Sequence, residues 1–312
     1  MHLCQRVMKV YRQPVSSAPA VYPFAGLIAD PLPGRAAGKP RGVGLTMVMD
    51  KGLGLAETAD LLQVAAAWVD FWKLPFGTSA LYPQDILAAK IDLVRSAGVV
   101  VYPGGTFFEV AISQDQDHAF LQRCRGLGFT AIEVSDGTLE ISPARRRQAI
   151  AAAAAAGFTV LAEVGKKAPG SRLNLAGLAA QLEGDLAAGA SYLNLEGREA
   201  GRGVGIYDDD GRIIAGELDA VLQAAPDATR LIWEAPLKSQ QQALIARFGP
   251  NVNLGNIPPD EILALETLRR GLRGDTFALA LANAGSPSPG GAGEKGGGGG
   301  RPPSFNSQSR DG

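Results

Sequence analysis

The sequence predicts an α/β protein of the (βα)8 TIM-barrel class, built as a single domain. Three observations carry that prediction. Short runs of β-branched and aliphatic residues alternate eight times with stretches of helical periodicity. The eight units occupy roughly 240 residues, against about 250 for a typical barrel of this kind. The rival is an open doubly wound sheet, which has fewer units and a glycine fingerprint after its first strand. Here Asp50-Lys-Gly-Leu-Gly54 follows the first strand and lacks that spacing.

Taken in order, the strand runs begin near Val43, Val69, Val99, Thr130, Phe158, Tyr192, Leu231 and Val252. The helical patterns fall near Ala56–Ala67, Pro83–Ala97, Gln116–Leu127, Pro143–Ala156, Leu175–Ala188, Glu217–Ala224, Lys238–Phe248 and Pro258–Gly271. Pro83, Pro143 and Pro258 open three of them, where the missing N–H has no helical partner to lose. Gly98, Gly128, Gly157, Gly189 and Gly249 close five, at the position where a left-handed backbone favours glycine.

Residues 1–40 are rich in Pro, Gly and Ala and read as an irregular arm. Residues 41–281 form the barrel, and residues 282–312 read as a disordered tail too poor in apolar surface to fold. The Gly296–Gly300 run in the tail is no phosphate loop, since no strand precedes it and no Lys-Ser/Thr pair follows.

Lys plus Arg number 30 and Asp plus Glu 31, a balance that argues against nucleic acid or a membrane surface as partner. Two histidines, His2 and His118, and two cysteines, Cys4 and Cys124, exclude His-rich zinc sites and Cys-rich clusters. A reducing, cytoplasmic location is expected. The first residues carry Arg6, Lys9 and Arg12 without a long apolar run, unlike a secretory leader. The most apolar stretch, Ala149–Ala162, is mostly alanine and too short to span a bilayer. A homo-oligomer is left open.

In a barrel, alternate strand residues point inward, and the C-terminal strand ends form the active face. Parity places Glu133, Ser135, Glu163, Asn194, Glu196 and Glu234 inward, with Ile132, Val134, Val160, Ala162, Leu193, Leu195 and Trp233 outward. The same count puts Asp50, Lys73, Tyr102 and Asn253 inside. Four consecutive strands thus end in an inward glutamate. Mutually close carboxylates cannot all stay ionised without a cation. Lys51, Lys73, Lys166, Lys167 and Arg198 are the protein cations in reach. Mg2+ is the non-protein one, because it prefers carboxylate oxygen and water. The alternative is that these charges simply pair in layers of the barrel core.

Glycine-rich turns follow the strands, among them Pro103-Gly104-Gly105 and Gly201-Arg-Gly-Val-Gly205, and glycine lets backbone N–H groups approach an anion. The second, followed by Tyr207-Asp-Asp-Asp-Gly211, reads as a long loop over the barrel mouth, of lid type. Arg269, Arg270 and Arg273 end the last helical pattern, either as anion ligands or as complements to its C-terminus.

Nine motifs in order resemble the phosphosulfolactate synthase family. They are Gly44-Leu-Thr-Met-Val-Met-Asp-Lys-Gly52, Phe71-Trp-Lys-Leu-Pro-Phe-Gly-Thr-Ser79, Val101-Tyr-Pro-Gly-Gly-Thr-Phe-Phe-Glu109 and Ile132-Glu-Val-Ser-Asp-Gly137. Glu163-Val-Gly-Lys-Lys167, Glu196-Gly-Arg-Glu-Ala-Gly201, Trp233-Glu-Ala-Pro-Leu-Lys-Ser-Gln-Gln241, Val252-Asn-Leu-Gly-Asn256 and Glu266-Thr-Leu-Arg-Arg-Gly-Leu-Arg-Gly-Asp-Thr-Phe277 complete the set. Ala200 stands where Ser is expected in many members. The resemblance runs from about Phe24 to Phe277 and leaves out the first residues and the tail.

The resemblance implies a Mg2+-dependent barrel that adds sulfite to phosphoenolpyruvate, giving (2R)-phospho-3-sulfolactate, in coenzyme M or sulfolactate formation. It implies Glu163 and Glu196 as metal ligands, with Glu133 and Asp136 as further candidates, directly or through water. It implies Lys167 as general acid, with Lys166 as the fallback. Lys51, Lys73, Arg198, Gly104, Gly105 and Asn253 are then the candidate substrate contacts. Two rivals stand beside it: a Schiff-base aldolase using Lys73 or Lys167, and a non-catalytic stress or scaffold barrel.

Overall fold

The computed structural model describes residues 22–166 and 174–285. Eight strands alternate with helices: β1 Thr46–Met49, β2 Phe71–Leu74, β3 Val100–Pro103, β4 Ala131–Val134, β5 Thr159–Val164, β6 Tyr192–Leu195, β7 Leu231–Glu234 and β8 Leu254–Ile257. All pair in parallel, in the order β3-β2-β1-β8-β7-β6-β5-β4. The seam between β3 and β4 is nearly closed by Thr130. Its N–H donates to the Val101 carbonyl (3.0 Å), and its hydroxyl accepts from the Val101 N–H (3.0 Å). The result is a TIM-barrel-like α/β fold.

The helices are α1 Leu55–Ala65, α2 Gln84–Ser96, α3 Gly105–Ser113, α4 Asp117–Leu127, α5 Pro143–Ala155, α6 Leu175–Ala187, α7 Ala215–Ala224, α8 Lys238–Phe248, α9 Ile262–Arg270 and α10 Gly274–Gly285. The five closing glycines all have positive φ, from 68° at Gly98 to 112° at Gly189, as their position after a helix requires.

Strand parity sorts the core into two parts. Val48, Trp72, Val101, Ile132, Val160, Leu193 and Trp233 pack outward against the helices. Met47, Phe71, Tyr102, Ala131, Leu161 and Ile232 fill the lower barrel interior. Polar residues continue the same inward face above them. No helix among the described residues is long and apolar enough to cross a membrane.

Three sequence expectations change, and one gains detail. Helix α3 was read as a glycine turn. Gly104 in fact caps it in extended conformation, and Phe108 and Glu109 are buried beneath it. Helix α10 extends regular structure to Gly285, past the expected tail boundary at residue 282; the rest of the tail lies outside the described residues. The later part of the arm is irregular, as expected, and is strapped to α9: Arg35 pairs with Glu266 (3.0 Å) and Asp30 with Arg270 (2.7 Å). Asp50 faces the helices rather than the interior, because Met47 and Met49 take the inward positions of β1. It accepts from the Trp72 indole N–H (2.9 Å) and pairs with Lys90 of α2.

Candidate active site

The polar layers begin where the apolar filling stops. Lys73, two residues beyond Phe71 on β2, carries its ammonium into the barrel. There it lies 2.9 Å from Glu133 of β4, 3.2 Å from Glu234 of β7 and 3.4 Å from Glu163 of β5. All four are buried. Glu196, just past β6, joins Glu163 and Glu234 in a second grouping. One carboxylate oxygen of each lies within 4.8 Å of the others. Backbone donors aim two of these groups. The Gly197 N–H donates to Glu234 Oε2 (2.9 Å) and the Arg198 N–H to Glu196 Oε1 (2.6 Å).

Glycine is required for this packing. A Cβ on Gly197 would sit 2.5 Å from the Glu234 carbonyl, and one on Gly105 would sit 2.6 Å from Ser135 Oγ and 3.1 Å from Glu133 Oε1. Gly105 therefore brings the start of α3 directly against the β4 carboxylate. Arg198 and Asn256 both hold left-handed backbones (φ 57° and 55°), and the Asn256 amide donates to the Arg198 carbonyl (3.3 Å). Left-handed conformations of this kind are unfavourable away from glycine and persist where surrounding contacts fix them.

Electrostatics follow from burial. Burial alone would lower the Lys73 pKa, but Glu133, Glu234 and Glu163 outweigh it and hold the ammonium well above its ordinary range. Burial pushes the Glu133 carboxyl well up against the pull of Lys73. Burial and then Glu133 raise the Tyr102 phenol, which remains protonated.

Of the sequence candidates, Lys73, Glu133, Glu163, Glu196, Gly104 and Gly105 come together at the mouth. Asp136 does not join the carboxylate group: it pairs with Arg146 (2.9 Å), which also grips Asp185 (2.7 Å). Lys166 donates to the Asp136 carbonyl (2.7 Å) and so is tied to the loop after β4. Lys51 pairs with Glu199 (2.6 Å) at the exposed rim. Lys167 lies outside the described residues.

Asn253 is misplaced by the sequence reading. It precedes β8, at the opposite end of the barrel. There its amide accepts from Leu45 N–H (3.0 Å) and donates to the carbonyls of Thr229 (2.8 Å) and Leu231 (2.9 Å). Arg269 also belongs to that end, donating to the Val252, Pro250 and Leu45 carbonyls. Burial lowers its pKa to about 9. The expected lid is anchored. Val204, Ile206 and Tyr207 are buried, the Tyr207 hydroxyl donates to the Glu234 carbonyl (2.8 Å), and Gln240 donates to Gly201 (2.6 Å).

Three residues escaped role assignment from sequence. Glu234 was read as inward but given no part in the metal set. Glu109 was hidden with its helix; it accepts from the Ser135 hydroxyl and from the N–H groups of Thr138 (2.9 Å) and Leu139 (2.5 Å), fixing the loop after β4. Arg146 reads as an ordinary helix-surface arginine but donates to the Glu163 carbonyl (2.9 Å), steadying the C-terminal end of β5.

A parallel barrel with carboxylates and a charged lysine converging at the C-terminal strand ends has the layout of a TIM-barrel enzyme. Residues 34–275 match the model of the (2R)-phospho-3-sulfolactate synthase family (ComA), and the chain belongs to that family of enzymes. A phosphosulfolactate synthase of Methanothermobacter thermautotrophicus is 47% identical over 249 residues, covering 77% of this chain and 94% of the relative. One from Methanocaldococcus jannaschii is 48% identical over 75% of this chain and 94% of its own length. One from Bacillus subtilis is 38% identical over 77% and 95%.

Proposed function

We propose that this chain joins sulfite to phosphoenolpyruvate, giving (2R)-phospho-3-sulfolactate, as a carbon–sulfur lyase working in the bond-forming direction. The observation that carries this reading is the convergence of three buried carboxylates within 4.8 Å, beside a shared lysine, in a member of this family. In the reaction, the sulfur lone pair attacks the methylene carbon. The electrons of the double bond move toward the substrate carboxylate, and a proton then joins the carbon bearing the phosphate.

Glu163, Glu196 and Glu234 form a donor set of hard oxygens that suits Mg2+. When bound, the ion supplies electrostatic stabilisation of charge growing on the carboxylate. Lys73 holds Glu133, Glu163 and Glu234 in place and keeps the pocket from excess negative charge. An ammonium held this firmly charged is a poor Schiff-base nucleophile, which weighs against Lys73 in the aldolase rival. Lys167, following the family resemblance, delivers the proton from one face. Lys166 is occupied with Asp136.

Sulfite-dependent consumption of phosphoenolpyruvate, followed with Mg2+ and with EDTA, tests the reading. Turnover abolished by EDTA and restored by Mg2+ is expected; absence of turnover under both conditions overturns it. Lys167→Met should cost about 10²–10⁴ in rate, the usual range for a general acid, and Lys166→Met much less.

A further inference from the structure

Phe71 and Tyr192 touch across the barrel, with ring centroids 5.4 Å apart. Two residues further along each strand, on the same inward face, stand Lys73 and Asn194. Lys73 is surrounded by carboxylates. Asn194 is wholly buried, and neither its amide oxygen nor its amide nitrogen has a hydrogen-bond partner. Its neighbours Leu193 and Leu195 pack outward, so the amide is committed to the interior. The Tyr102 hydroxyl, buried beside the same carboxylates, also has no partner.

Unpartnered buried amides and hydroxyls are costly, by about 1–3 kcal/mol each. They persist where a ligand, an ion or an ordered water completes them. Both amide atoms are unpartnered, so either orientation of the side chain can present an N–H2 group. We propose that Asn194, assisted by the Tyr102 hydroxyl, is a substrate-binding residue whose neutral N–H donors receive one oxygen of a substrate carboxylate at the floor of the site. The proposal rests on the reading of the chain as acting on phosphoenolpyruvate and names the end of the substrate that enters first.

Charge selects the carboxylate over the other oxyanions. Phosphate and sulfite carry up to two negative charges and have bulky tetrahedral or pyramidal shapes. The floor is shared with Glu133, Glu163 and Glu234, which already crowd it with negative charge. A planar group of single charge is the oxyanion that such a floor tolerates. Fixed neutral donors there strengthen as charge grows on the carboxylate during addition, without adding a cation that the glutamates would capture.

The test combines variants of the protein with a truncated substrate. Isopropenyl phosphate is the same enol phosphate with methyl in place of the carboxylate. Affinities of both ligands are measured in Mg2+ for wild type, Asn194→Leu, Asn194→Ala and Tyr102→Phe, with melting curves to confirm folding. Wild type should prefer phosphoenolpyruvate, and the Asn194 variants should lose about 10- to 100-fold of that preference, the range for a charge-assisted hydrogen bond. They should bind isopropenyl phosphate as wild type does. Tyr102→Phe, which keeps the ring, should lose part of the preference. Where turnover is measurable, kcat should fall by about 10²–10³ in Asn194→Leu. Equal weakening of both ligands, or a wild type without preference, overturns the proposal. Loss of preference in a protein that shows no sulfite-dependent turnover upholds the carboxylate site and overturns the reaction instead.

Discussion

The two ends of this barrel handle buried charge in opposite ways. At the N-terminal end, two arginines each grip one carboxylate, and a third, Arg269, is held by backbone carbonyls. Arg41 grips Asp70 through Nη2 (2.9 Å) and Nε, and Arg35 grips Glu266 in the same forked manner. At the C-terminal mouth, one ammonium serves three carboxylates, and Asn194 and Tyr102 keep polar atoms without partners. A buried pair with matched hydrogen bonds is a finished structural element. A crowded set with too little positive charge is stable only with protons or an added cation. The difference separates the end that holds the barrel shut from the end where the candidate site lies.

The largest effect is expected at the mouth, and on activity. Glu163→Gln keeps shape but removes one charge from the crowded set. It should lower turnover by about 10²–10³, several kcal/mol of transition-state stabilisation, while the melting temperature in EDTA holds or rises. A variant with normal turnover and normal metal response would erase the distinction between the two ends.

Removing the cation at either end comes next. Lys73→Met and Arg41→Met should each cost about 3–5 kcal/mol of stability, the usual penalty for orphaning a buried charge. Denaturant titration should show the Lys73→Met loss partly recovered by Mg2+, and the Arg41→Met loss unaffected by it. Equal recovery in both would mean that the ion acts generally rather than at the mouth.

A smaller effect is expected from Tyr207→Phe, which removes the bond to the Glu234 carbonyl (2.8 Å). About 1 kcal/mol of stability should be lost, with a modest rise in KM as the loop after β6 loosens. The smallest concerns Lys39, whose ammonium donates to the Ala66 (2.9 Å) and Gly98 (3.2 Å) carbonyls. Burial, partly opposed by Asp70, lowers its pKa from 10.5 to about 8. The folded state therefore binds fewer protons than the unfolded chain between those values. Its contribution is present above pH 10.5 and is lost as pH falls through about 8. Wild-type stability measured against Lys39→Met should rise over that window, and a flat difference would contradict the assignment.

Much of the mouth was legible in the sequence because strand periodicity is strict. Once Ile132, Val160, Leu193 and Trp233 were read as outward, the inward set of Glu133, Glu163, Asn194, Glu196 and Glu234 followed. Periodicity failed where a strand was entered in the wrong phase, as at Asp50. It failed also where a residue lay before the strand, as at Asn253, whose inward direction says nothing of which end it occupies. Helix α3 was missed because Gly104 and Gly105 signal a turn locally. Only the close approach to Ser135 and Glu133 explains glycine there. The clamp of the arm onto α9 joins residues more than 200 positions apart, and no local pattern announces it.

Titration of Mg2+ into metal-free protein by calorimetry tests the contrast between the ends most directly. The account predicts one site per chain, abolished or strongly weakened in Glu196→Gln and unchanged in Lys39→Met. Absence of binding by the wild type, or a Glu196→Gln variant that binds as the wild type does, would contradict it.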